Sequence, residues 1–197
     1  MKTFKRRFLA ALCACMLMLT VLMPTDMSIV FAATSGSCGD NATWSFDAST
    51  KTLTISGTGE TKKYYPISPS IAPSITKAPW VDYKPNIEKI VVEEGITVLG
   101  ADSFYECTEL TEVSLPSTLT KICGSGFAFR NTDYTLGCFQ YCTKLESITL
   151  PENLVEIESY VFNGCSALKK IVIPDSVTTI GEYAFFECTD LERVTFG

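Results

Sequence analysis

From Ile87 onward the chain matches itself at a fixed offset of 23 residues, and no other feature limits its fold so tightly. Leu145, Ile148, Leu150, Leu154, Ile157, Phe162 and Cys165 recur 23 residues later as Leu168, Ile171, Ile173, Val177, Ile180, Phe185 and Cys188. An earlier copy carries the frame in Ile87, Ile90, Val92, Ile96, Leu99, Gly100, Phe104 and Cys107. Another opens at Leu110 with Val113, Leu115, Pro116, Leu119 and Ile122, but reaches Phe139 and Cys142 only after 12 additional residues. A partial copy starts at Leu191 and shows Val194 and Phe196. The array thus divides into 87–109, 110–144 with an insertion, 145–167, 168–190 and a partial 191–197.

Within a copy, Leu-x-x-Ile-x-Ile alternates with period two, the pattern of a short strand with one buried face. Pro116, Pro151 and Pro174 end that strand, a second short extended piece follows, and the Phe-x-x-Cys segment reads as a helical turn or bend. One such unit cannot bury its apolar side alone. Copies stacked at the strand spacing of about 4.8 Å can, which gives a curved solenoid with a parallel sheet along one side.

Residues 33–60 read as an N-terminal β-hairpin cap: Trp44 and Phe46 alternate, Leu53 and Ile55 alternate, and Asp47 to Lys51 between them is turn-forming. Residues 61–86 hold Pro66, Pro69, Pro73 and Pro79 among serines, a loop, before Trp80 and Tyr83 anchor the chain on the first coil. After Phe196 no polar capping unit follows. This leaves the final sheet edge open and raises self-association through it, or a place in a larger or truncated product, as expectations.

The full pattern Leu-x-x-Ile-x-Ile-Pro-x-x-Val-x-x-Ile-Gly-x-x-Ala-Phe-x-x-Cys, complete in Leu168 to Cys188, resembles the BspA-type leucine-rich repeat of bacterial surface and secreted proteins. Cys38 to Glu60 and Ala78 to Trp80 are similar to the segment that often precedes such arrays. The resemblance implies a β-rich α/β fold, a right-handed leucine-rich-repeat solenoid. It also implies adhesion-like recognition of a protein or glycan, including host extracellular-matrix proteins in some members.

Lys2, Lys5, Arg6 and Arg7 precede an uncharged apolar run from Phe8 to Met23, followed by Pro24 and Asp26. The run is shorter than the about 20 residues of a spanning helix, so residues 1–32 read as a signal peptide and the membrane enters only through it. The product is then secreted or on the cell surface. Without residues 1–32 the chain keeps 12 positive and 21 negative charges. That surface repels phosphate backbones and argues against nucleic-acid binding.

The chain has no histidine, which removes the Ser-His-Asp triad, the Cys-His dyad and His-based zinc chemistry together. Glu93 and Glu94 are adjacent on a strand edge and point to opposite faces, unlike a glycosidase pair. Cys107, Cys142, Cys165 and Cys188 share one repeat position and read as a buried ladder of free thiols. Cys123 and Cys138 flank the insertion, where a disulfide would close its neck, while three cysteines without paired Cys-x-x-Cys motifs make a poor metal site. No enzyme, metal or cofactor is expected.

What remains is a surface. Outward-facing strand positions form one column of Lys89, Glu112, Ser147, Lys170 and Arg193 and another of Val91, Ser114, Thr149, Val172 and Thr195. The insertion adds Phe127, Phe129, Arg130 and Tyr134, residue types that binding sites favour. The expected function is a non-catalytic binding module of protein-protein or adhesion type. The alternative is a structural N-terminal portion of a larger surface protein with no ligand of its own.

Overall fold

The computed structural model describes residues 34–64, 77–129 and 132–197; the segment 1–32 expected to be a signal peptide, most of the proline-rich loop and Arg130 lie outside them. The chain opens with β1 (Ser35–Ser37), β2 (Ala42–Asp47), β3 (Thr52–Gly57) and β4 (Gly59–Glu60). β2 and β3 form the expected hairpin, with Trp44 opposite Ile55 and Phe46 opposite Leu53. Its turn is held by Asp47, whose Oδ1 accepts the Ser49 N–H at 2.8 Å. β1 adds an antiparallel edge strand to β2. β3 then pairs in parallel with the first strand of the repeats, Leu53 beside Ile90 and Ile55 beside Val92, so the cap is the array's first rung.

Each repeat contributes up to two strands: β5 (Lys89–Val92) and β6 (Ile96–Leu99), then β7 (Glu112–Ser114) and β8 (Lys121–Ile122). The insertion forms β9 (Gly124–Phe129) and β10 (Thr132–Gly137), and the later repeats give β11 (Glu156–Ile157), β12 (Lys170–Ile173), β13 (Thr179–Ile180) and β14 (Arg193–Phe196). One sheet runs β1-β2-β3-β5-β7 and a second runs β13-β11-β8-β6-β4. β12 and β14 pair in parallel as a separate sheet. Between β7 and β12, residues 145–150 keep the inward side chains Leu145, Ile148 and Leu150 but make only the bridge from Ser147 to Lys170. The first sheet is therefore interrupted at the coil that follows the insertion.

The period-23 apolar positions form continuous columns inside the solenoid. Trp80, Phe104, Phe139, Phe162 and Phe185 stack in that order, with centroid separations of 6.0, 5.2, 5.5 and 5.3 Å. Trp80 occupies the place of the phenylalanine that a preceding coil would supply. It is also fastened by its indole N–H, which donates to the Ser103 carbonyl at 2.7 Å. Tyr83, the other expected anchor, stacks on Phe46 with centroids 4.6 Å apart.

The helical component is confined, among the described residues, to a 3-10 helix at Val81–Asn86. The Phe-x-x-Cys segments are turns because each carries residues with positive φ: Asp102 at 59°, Tyr160 at 62° and Tyr183 at 57° in one column, and Glu106 at 58°, Tyr141 at 60° and Glu187 at 60° in another. A left-handed residue every few positions prevents a right-handed helix from propagating.

All seven cysteines from Cys38 onward are free thiols. In the ladder, the Cys142, Cys165 and Cys188 thiols donate to the carbonyls of Phe104, Phe139 and Phe162 at 3.3, 3.1 and 3.1 Å, which ties each coil to the one before it. Cys123 and Cys138 do not bridge: Cys123 packs with Ala101 and Leu136, whereas Cys138 belongs to the main core. The neck they flank is closed by backbone pairing of Gly124 with Gly137 instead. It is further held by Glu158, whose Oε2 accepts the Gly124 N–H at 2.9 Å while its Oε1 pairs with Lys121 at 2.6 Å. The insertion is thus an antiparallel hairpin in place of a loop.

Candidate functional site on the sheet face

The backbone register sets most residues of the two columns beside one another on neighbouring strands. Lys89 lies beside Glu112 and Val91 beside Ser114 on β5 and β7; Lys170 lies beside Arg193 and Val172 beside Thr195 on β12 and β14. Ser147 joins the first column through its bridge to Lys170, and Thr149 is exposed in the interrupted stretch.

Electrostatics divides the first column in two. Lys89 pairs with Glu112 at 2.5 Å, which neutralises the N-terminal half. It is one of a set in which ion pairs link neighbouring coils, with Lys144 to Glu109 at 2.6 Å and Lys169 to Glu146 at 2.8 Å. Lys170 and Arg193 belong to no ion pair among the described residues. Two like charges on adjacent strands repel, so this half of the face holds a cationic pair outside the ion-pair set, with Glu146 and Glu192 at the same cleft.

Two clefts meet there. One, of about 670 Å³, is lined by Glu146, Ser147, Lys169, Lys170, Glu192 and Arg193. The other, of about 490 Å³, runs along the interruption past Thr149, Leu150, Glu152 and Val172 and shares Ser147 and Lys170 with the first. Val172 is 57% exposed beside them. Charge, a large apolar side chain and concavity coincide at this point of the face, the mixture that an interface core and rim require.

The insertion is less defined. Phe127 and Tyr134 are register partners on β9 and β10, Phe129 pairs with Thr132, and Arg130 lies outside the described residues. Sequence reasoning missed Lys169, Glu146 and Glu192, although opposite charges 23 residues apart, as in Glu146 and Lys169, are visible in the repeat frame.

None of the thiols is poised for nucleophilic chemistry. Burial pushes Cys107 up to about 12 and Cys38, Cys123 and Cys188 up to about 11, and it raises Cys138, Cys142 and Cys165 as well. At neutral pH these groups are thiols, not thiolates.

Comparison with known proteins agrees with this architecture. The family profile described as a BspA type Leucine rich repeat region (6 copies) matches residues 81–135 and 135–197. The chain belongs to the BspA-type leucine-rich repeat family. A leucine-rich repeat protein from Eubacterium ventriosum is 26% identical, with a TM-score of 0.58 over 84% of this chain and 41% of its own. A leucine rich cell surface protein from Faecalibacterium prausnitzii is 22% identical, with a TM-score of 0.53 over 80% of this chain and 38% of its own. The T. pallidum leucine-rich repeat protein is 21% identical, with a TM-score of 0.50 over 77% of this chain and 66% of its own. The chain thus spans about two fifths of the length of the first two. No curated protein matches the sequence. The BspA-type leucine-rich repeat points to a protein-binding module.

Proposed function

We propose that this BspA-type protein is a secreted or surface-displayed, non-catalytic module that binds an acidic surface of another macromolecule through the C-terminal half of its sheet face. The observation that carries this reading is the stacked, unpaired Lys170 and Arg193 beside exposed Val172, on a chain of net charge −6. In such a chain two neighbouring cations outside any ion pair are a local exception that can orient an acidic partner and set register. The basic, apolar leader of residues 2–23 supports export, and the cell-surface description of the Faecalibacterium prausnitzii protein is in keeping with it. Host matrix proteins and glycans are the partner classes to screen first.

The test is a binding screen against immobilised extracellular-matrix proteins and glycans, with Lys170→Glu/Arg193→Glu and, as control, Lys89→Glu. Saturable binding weakened at least tenfold by the double reversal, and little by the control, supports the reading. Equal binding by both moves recognition to the hairpin Gly124–Gly137. No binding by a folded sample overturns it in favour of a purely structural role. Self-association belongs to the same proposal, because β14 exposes Val194 at 43% and Phe196 at 72%. Sedimentation should then show concentration-dependent dimers that Phe196→Lys abolishes, and a monomer throughout would reject this part.

A further inference from the structure

Away from the sheet face, the 3-10 helix Val81–Asn86 and the turn after Leu99 border a cleft of about 320 Å³. Asp102 lines it, is only 2% exposed, and has one carboxylate oxygen, Oδ1, without a hydrogen-bond partner. Lys84 lines it as well, 9% exposed, with its ammonium 5.2 Å from the centroid of the Tyr105 ring. The ammonium is close enough to favour the ionised form of Asp102. Yet neither residue belongs to an ion pair among the described residues. A buried carboxylate oxygen without a donor destabilises a fold unless something in the cleft donates to it, and the Lys84 ammonium on the same cleft is not within ion-pair distance to do so.

The charge balance of the walls selects what that something is. Lys77 and Lys84 oppose Asp102 and Glu106, so a cation meets two ammonium groups and an anion meets two carboxylates. A hydroxyl meets neither penalty, since it accepts from an ammonium and donates to a carboxylate at once. Val81 and Pro85 supply apolar wall, and the volume lies at the small end of ligand sites, which run from about 300 to about 1,000 Å³. We propose that this cleft binds a neutral polyhydroxyl ligand, a single sugar residue or a short saccharide end, with a hydroxyl bridging Lys84 and Asp102. The surroundings of Asp102 disfavour charge, because burial pushes its carboxyl up to about 6. That weighs against a zwitterion such as a free amino acid. The site is independent of the sheet face, and either can fail without the other.

The test uses the Trp80 indole N–H, bonded to the Ser103 carbonyl next to Asp102, as an NMR reporter. Glucose, galactose, mannose and N-acetylglucosamine are titrated into the purified protein, with glycine and acetate as charged probes. At least one sugar should shift the indole resonance saturably. Asp102→Asn, which tolerates the positive φ, and Lys84→Met, which keeps the stem against Tyr105, should each weaken binding at least tenfold while the remaining spectrum stays dispersed. No saturable shift with any sugar, as for a cleft filled by water alone, overturns the proposal. So does unchanged affinity in both variants, or glycine or acetate giving the same shift.

Discussion

Phe139 and Phe162 stand at equivalent positions of successive coils and stack with centroids 5.5 Å apart and planes 4° from parallel. Phe162 also stacks on Phe185 at 5.3 Å and is fully buried. Phe162→Ala removes the middle of this column and is expected to lower stability by about 3–5 kcal/mol. Urea denaturation checks this, and a change below about 1 kcal/mol would mean that neighbouring coils close the gap.

Gly137 sits at the neck of the hairpin where an added Cβ would lie 1.8 Å from the Tyr160 carbonyl oxygen. Gly59, with φ 81°, would meet nothing within 4 Å. Gly137→Ala should therefore cost more than Gly59→Ala, whose penalty is the backbone strain of about 1–2 kcal/mol alone. Comparing the two melting curves tests the close approach of the neck to the next coil.

Asp102 makes stability depend on pH in a stated direction. Its folded carboxyl is raised to about 6 by burial, opposed by Lys84 and reinforced by Glu106, while the unfolded group titrates near 3.8. The folded state therefore holds a proton that the unfolded state has lost, and stability declines as pH rises from about 4 to about 6. Asp102→Asn is expected to be more stable than the native protein at pH 7.5 by about 2–3 kcal/mol, a gap that closes below about pH 4. A less stable variant at pH 7.5 would show that the carboxylate has a partner in the native protein.

Thiol labelling should follow burial. With iodoacetamide at pH 8, Cys188, which is only partly covered, should react before Cys107, Cys142 and Cys165, which should stay unmodified until the protein is denatured. Rapid native labelling of Cys107 would contradict the closed core.

The repeat frame made the coils, the phenylalanine and cysteine columns and the outward columns legible, because side-chain period and repeat period both act locally. Three things depended on context. The segment 145–150 alternates as well as 168–173, yet only Ser147 bridges to the next coil. The insertion carries no glycine at its tip, between Phe129 and Thr132, where a tight hairpin usually announces itself. Lys84 and Asp102 line one cleft because the 3-10 helix folds back beside the turn after Leu99, a tertiary placement with no periodic signature. The division of the charged column was readable in part: Lys89 and Glu112 differ by one repeat and carry opposite charge, whereas Lys170 and Arg193 differ by one repeat and carry the same.

Strand pairing between coils, thiol-to-carbonyl contacts and ion pairs all join one coil to its neighbour, so these bonds run along the solenoid axis. Tension along that axis stretches the same bonds that define the fold, and it loads them one coil junction after another. A molecule built in this way yields by successive short extensions at the weakest junction. On the sheet face the fewest such bonds flank residues 145–150, which have one bridge to the next coil and no strand pairing to β7.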